Sequence, residues 1–247
     1  MIKDIEFILK KIFLSEKYLL QKRLKRAIHN NYEKELKIIE KFADKTNDAL
    51  DIGVYRGVYS YKLSQYFKMV HAFEPNPLLY PYLEKNLPKI IKNIKLYNMA
   101  LSDENGEAVL KLPLRTQSFF RDNIEELFQL GAATIHPGNK IEKFKSVKVN
   151  KKKLDDIIEN KVSFIKIDVE GHEKSVISGA KNLILKFKPT LLVEIEQRHS
   201  GVNVKDTINY INNFGYNSYF LKDNDLIATD KSINFKIYNN YIFVKKN

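Results

Sequence analysis

Four short apolar runs dominate the middle of the chain, and each ends in or against an acidic residue. They are Ala49–Ile52 with Asp51, Met69–Phe73 with Glu74, Val162–Ile167 with Asp168 and Thr190–Ile195 with Glu194. Runs this short, bounded by turn residues, read as strands buried on both faces. Ile94–Met99 reads as a further strand, and Tyr59–Phe67, Leu78–Leu87, Glu173–Phe187 and Val204–Phe214 read as helices. Strands alternating with helices of this length predict βαβ units and a mostly parallel, doubly wound α/β sheet. The four acids then share one sheet edge, where such folds bind ligands. Ala108–Leu112 and Ser146–Val149 read as a lateral excursion. Ser218–Leu221 and Tyr241–Val244 read as final strands, with Leu226–Ala228 a short one between them.

The 247 residues carry no cysteine, which excludes a disulfide scaffold, a thiolate zinc site and a Cys nucleophile. The formal charge is +12, but six of the 42 cations are Arg and the rest Lys. Nucleic-acid readers lean on Arg, so a solvated basic surface is expected and no nucleic-acid partner. No apolar run approaches the roughly 20 residues that span a bilayer. Met1–Lys11 is already charged, so no secretory signal and a cytoplasmic location are expected. Residues 1–45 read as a helical extension, with Ile2, Ile5, Leu9, Leu20, Leu24, Leu36 and Ile39 near helical spacing. Acids interspersed among its lysines favour packing on the domain over peripheral contact with a membrane. Residues 46–247 read as one domain. Within it Pro113–Lys145 is irregular, as covers and substrate loops are. Its Arg115, Ser118 and Arg121 are candidates to bind an acceptor.

After the first strand comes Asp51-Ile52-Gly53-Val54-Tyr55-Arg56-Gly57, with a helix behind it. A strand, a glycine turn and a helix start can hold the polar tail of a nucleotide-like cofactor. The G-x-x-x-G spacing is not the dinucleotide fingerprint, which disfavours a nicotinamide dehydrogenase, and no Lys-Ser/Thr follows to make a phosphate loop. Glu74 lies 23 residues after Asp51, where an acid can accept from both ribose hydroxyls. The turn Asp168-Val169-Glu170-Gly171-His172-Glu173 packs four ionisable groups behind a buried strand, costly unless they are used or paired. A helix start explains Glu173. Carboxylate and imidazole would also suit a metal, but none is expected. A negative edge in a basic protein suits a cationic cofactor, and S-adenosylmethionine carries a sulfonium.

Five motifs in order make the likeness specific: Asp51-Ile52-Gly53-x-x-x-Gly57-x-Tyr59-Ser60, Phe73-Glu74-Pro75-Asn76-Pro77, Asn98-x-Ala100-Leu101-Ser102, Ile165 through Glu173, and Leu192-Val193-Glu194-Ile195. Together they resemble the FkbM family of S-adenosylmethionine-dependent O-methyltransferases over about residues 47–200. The family commonly has a small residue and then Asn after the first glycine, where this chain has Val54 and Tyr55. The resemblance implies a class I methyltransferase fold, Rossmann-like, with seven strands and the last antiparallel. It implies methyl transfer to a hydroxyl of a sugar, polysaccharide or natural product. By the same resemblance, Asp51, Gly53, Tyr55, Gly57, Tyr59 and Ser60 would hold the cofactor's tail. Glu74, Pro75, Asn76, Asn98, Ala100 and Asp168 would hold its nucleoside and amino end. His172 is the expected base, ahead of His199, with Asp168 and Glu170 beside it and Glu194 on the acceptor side. A cofactor-binding module without turnover stands as the rival from another class.

Overall fold

The computed structural model describes residues 15–30, 33–114, 128–138, 141–196, 203–230 and 233–246. The first fourteen residues of the helical extension lie outside these, as do Arg115, Ser118, Arg121 and His199. The central strands are β1 (Asp48–Ile52), β2 (Val70–Phe73), β3 (Ile94–Tyr97), β7 (Val162–Ile167), β8 (Thr190–Glu194), β9 (Tyr216–Lys222), β10 (Asp225–Ala228) and β11 (Asn240–Lys245). They form a sheet in the order β10-β9-β11-β8-β7-β1-β2-β3. The block from β3 to β8 is parallel. β11 runs antiparallel to both β8 and β9. This is the expected mostly parallel sheet with an antiparallel last strand, extended by β10. That eighth strand folds back on β9 through Asp223 and Asn224, at φ +52° and +72°. Two left-handed residues are what a tight hairpin turn demands, and Asp and Asn tolerate them.

The lateral excursion is a separate three-stranded sheet of β4 (Ala100–Leu101), β5 (Gly106–Pro113) and β6 (Phe144–Lys152), with β6 in the middle.

Strand alternation divides the core. Leu50, Ile52, Ile165, Ile167, Leu191, Val193, Tyr241 and Phe243 pack with Val176, Ile177, Ile184 and Ile208. These last come from α4 (Glu173–Gly179), α5 (Lys181–Phe187) and α6 (Val204–Asn212). Ala49, Phe164, Leu192 and Ile242 face the other way, against Leu36, Ile38, Ile39, Leu63 and Phe67. The expected single helix over 173–187 breaks at Ala180, whose φ of −111° is not helical.

The described part of the N-terminal extension is α1 (Glu16–His29), capped by Ser15, and a 3-10 helix over Lys34–Phe42. Leu20 and Leu24, one turn apart, are buried with Leu79, Leu83 and Leu87 of the segment holding α3 (Tyr80–Ile90). Among the described residues no helix is long and apolar enough to cross a membrane.

Candidate functional site

β1 leads into a turn that reaches α2 (Val58–Leu63) through Gly53 and Gly57. Gly53 has φ +86°, and a Cβ there would sit 1.8 Å from the Asp168 carbonyl oxygen. The approach is close because the Asp168 N–H donates to the Ile52 carbonyl, 2.9 Å, continuing the β1–β7 ladder. Conformation and space both require glycine. Gly57 has φ +78°, and its missing Cβ makes room for Leu87.

Glu74 closes the joint between turn and second strand. Its Oε2 accepts from the Tyr55 N–H and its Oε1 from the Asn76 N–H, both 2.9 Å. Asn98 Nδ2 donates to the Glu74 carbonyl, 2.9 Å. Burial raises the Glu74 carboxyl to about 7. Each of its oxygens keeps a second acceptor site for a ligand hydroxyl.

These groups open on a cleft with mostly apolar walls and a few convergent polar groups, the make-up of small-molecule sites. Gly53, Tyr55, Glu74, Pro75, Ala100, Asp168, Glu170 and His172 all line it. Ile52, Phe73, Met99, Leu101 and Val169 give it apolar walls. Leu130, Gly131, Ala133 and Ile135 complete it from the irregular segment. That segment is tied down by Thr134, whose hydroxyl donates to the Glu170 carbonyl at 2.8 Å and whose backbone pairs with Lys111. Tyr55 stands at φ +48°, unusual for a bulky residue, and its ring fills the space beside Gly131.

His172 lies just before α4, with Nε2 2.9 Å from Ser102 Oγ. Its Nδ1 is buried without a hydrogen-bond partner. Burial, then the neighbouring His136, depresses its pKa to about 4. Glu173 Oε1 accepts from the Gly171 N–H at 2.9 Å and is itself raised to about 7 by burial.

Several expected residues stand one layer behind the cleft. Asp51 alternates with Ile52 and so faces away; its Oδ2 accepts from Ser60 at 2.5 Å while Oδ1 is buried without a partner. Burial raises Asp51 to about 7. Asn76 and Asn98 support Glu74, and Gly57 supports the turn. Tyr59 lies under Lys166, whose Nζ is 4.9 Å from the ring centroid. Lys166 is 1% exposed and pairs with Asp168 at 3.6 Å and Glu194 at 3.9 Å. Its burial opposes the charge, but Asp168 and Glu194 outweigh it and hold the ammonium protonated. Glu194 is raised by burial and by the Asp168 charge, and accepts from Asn239 at 2.8 Å.

Lys166 and Ser102 stand inside the family motifs, but the sequence reading assigned neither a role. A lysine inside an apolar strand was the available signal for the first, and its place in the Asn98–Ser102 motif for the second. Among the described residues no cluster of three or more His, Asp or Glu side chains could hold a metal ion.

The residues fit a nucleoside that carries a positive charge. The slot is apolar, carboxylates surround it, and a buried imidazole nitrogen lacks a partner beside it. Residues 51–218 match the model of the Methyltransferase FkbM domain. A comparison with curated proteins found no match. Among solved structures, methyltransferase FkbM from Methylobacillus flagellatus KT aligns at TM-score 0.52 and 17% identity, over 80% of this chain and 43% of that one. The chain thus spans less than half the length of that relative. SMU.1697c from Streptococcus mutans, in complex with SAH, aligns at TM-score 0.48 and 12% identity, over 86% of this chain and 97% of that one. An rRNA methylase from Streptococcus thermophilus aligns at TM-score 0.48 and 11% identity, over 86% and 93%.

Proposed function

The chain belongs to the FkbM methyltransferase family, and from that premise we propose that it methylates a hydroxyl group of a sugar, polysaccharide or natural product. S-adenosylmethionine is the donor, and the reading places the reaction in the cytoplasm. The observation that carries the proposal is the meeting of Gly53, Glu74, Asp168 and His172 on one cleft. Bound there, the donor supplies an electrophilic methyl group on a sulfonium. Glu74 offers its remaining acceptor sites to the ribose hydroxyls. The apolar walls take the base. Asp168 faces the charged end, with the Lys166 ammonium 3.6 Å behind it. Glu170 and His172 face the acceptor, and the 128–138 segment shields them from water. Holding an acceptor oxygen in line with the methyl group supplies most of the rate in such a displacement. His172 is neutral at physiological pH because burial depresses its pKa, so it can take the acceptor's proton. The acceptor is not an exocyclic base nitrogen in this reading: the Asp168-Val169-Glu170 turn lacks the Pro-Pro-aromatic block of base-nitrogen methyltransferases.

Calorimetry with S-adenosylmethionine tests the donor half. Glu74→Gln should weaken binding by about 1.5–3 kcal/mol, the worth of charge-assisted hydrogen bonds; unchanged affinity would remove ribose recognition from Glu74. Labelled methyl transfer to a panel of methyl glycosides tests the acceptor half. Binding without transfer to any hydroxylated acceptor would support the module without turnover.

A further inference from the structure

We propose that Asp103, Ser102 and His172 form a hydrogen-bonded relay that locks His172 in the Nε2–H tautomer and presents Nδ1 as the proton acceptor of the cleft. The inference rests on the hydroxyl-acceptor reading above and assigns Ser102 and Asp103 as positioning residues.

Ser102 is 1% exposed, and its hydroxyl has two neighbours, Asp103 Oδ1 at 2.9 Å and His172 Nε2 at 2.9 Å. A hydroxyl carries one proton, and an ionised carboxylate can do nothing but accept. Partial burial opposes ionisation of Asp103, but the Ser102 contact, a backbone hydrogen bond and the nearby Lys151 outweigh it and hold the carboxyl below its ordinary range. The Ser102 proton therefore goes to Asp103, and the Ser102 oxygen is left to accept from His172. His172 must then carry its proton on Nε2. A neutral imidazole has one N–H, so Nδ1 is a bare acceptor, and it is the atom buried without a partner. Leaving an acceptor unmade in the interior is costly, and the cost is explained if a ligand hydroxyl supplies the missing partner.

The fold fixes this contact from two directions. His172 precedes α4, and Gly179 ends it, two turns along. A Cβ on Gly179 would sit 1.9 Å from the Ser102 carbonyl oxygen. The helix thus grips Ser102 by its backbone at one end and by its hydroxyl at the other. The titratable and charged groups around the imidazole are His136 from the 128–138 segment, Asp103, Lys151 of β6 and, on its own turn, Glu170. Of these, Asp103 is joined to it by hydrogen bonds through Ser102. As the acceptor oxygen gains the methyl group, its proton passes to Nδ1. The positive charge lost at sulfur reappears on the imidazolium, whose Nε2–H is already held by the Ser102 oxygen, itself bonded to the Asp103 carboxylate.

The test uses the full chain labelled with ¹⁵N-histidine and long-range ¹H–¹⁵N correlation, with His172→Gln assigning the signals. Wild type should show His172 as the Nε2–H form with an unprotonated Nδ1. Ser102→Ala should release it into a mixture of tautomers, and Ser102→Thr should restore the single form. Asp103→Asn should lower the imidazole pKa further. On any methyl glycoside that wild type methylates, Ser102→Ala should lower kcat by about tenfold to a hundredfold, below the roughly 10²–10⁴ that general-base catalysis is itself worth. An Nδ1–H form in wild type, or an unchanged tautomer in Ser102→Ala that still binds S-adenosylmethionine, overturns the relay. Because the tautomer is read without an acceptor, failure of the relay is separable from failure of the hydroxyl reading, which the glycoside panel decides.

Discussion

At Gly53 two demands coincide, a left-handed backbone and a carbonyl oxygen where a side chain would begin. Gly53→Ala should therefore cost more than the ~1 kcal/mol of a strained glycine replacement. It should also shift the turn that places Tyr55 against Glu74, and with it abolish S-adenosylmethionine binding. Chemical denaturation and calorimetry measure the two effects; an alanine variant with native stability would mean that β1 and β7 can part at their ends without loss. This residue and Glu74 were legible in the sequence because their roles are local, a turn after a strand and an acid at the next strand's end. Asp51 and Glu194 do not line the cleft, and for Asp51 the reason is equally physical. Strand neighbours face opposite sides, so Asp51 and Lys166, paired across β1 and β7, belong to the face away from Ile52 and Ile167. The same rule explains why a lysine in the Val162–Ile167 run is no error of patterning. It is the counter-ion of the acids beside it.

At the level of elements, α1 is held by apolar contact rather than by its charges. Leu24 is fully buried, and Lys85–Glu16 is an exposed ion pair of the kind worth little. Leu24→Ala should lower stability by about 2–5 kcal/mol, read as a shift in the urea midpoint at constant slope, while Glu16→Ala should move it by less than about 1 kcal/mol. A similar small shift for both would mean that the helix is not part of the cooperative unit. Helical spacing revealed this element, but spacing does not distinguish an α-helix from the 3-10 helix over Lys34–Phe42, nor does it show the break at Ala180. That break follows from contact: Gly179 must admit the Ser102 carbonyl, and the chain turns immediately after it. Short strands fared in the same way. β10 was visible as an apolar triplet, whereas its pairing depended on the left-handed pair at Asp223 and Asn224.

Across the whole molecule the buried acids set a pH dependence. Asp51 rises from 3.8 to about 7, and Glu74 and Glu173 from 4.5 to about 7. A group whose pKa is raised by folding contributes stability that is present below its unfolded value and lost as pH rises through the folded one. His172 acts oppositely: depressed from 6.5 to about 4, it contributes stability above 6.5 that is lost as pH falls toward 4. Three acids outweigh one imidazole between about pH 7 and 5, so Tm should be higher at about pH 6 than at about pH 8 in the absence of ligand. A scanning-calorimetry series over that range checks it; a Tm that falls on acidification would show that the acids are already ionised and compensated. The alternation of strands and helices was readable because hydrophobic periodicity records it directly, whereas the antiparallel last strand came from the family resemblance. The site was readable only at its backbone turns, since which carboxylates share a face is decided by pairing between strands far apart in the chain.

The position of β11 has a consequence for the time course of synthesis. The last strand in chain order is an interior strand, seated between β8 and β9. Until Asn240–Lys245 has left the ribosome, β8 ends the parallel block with an unpaired edge, and the β9–β10 hairpin has nothing to join. Such edges template pairing with other chains. The nascent domain is thus most open to aggregation between the release of β8 and that of β11, when most of its core is already built. A single strand arriving late then closes both edges at once.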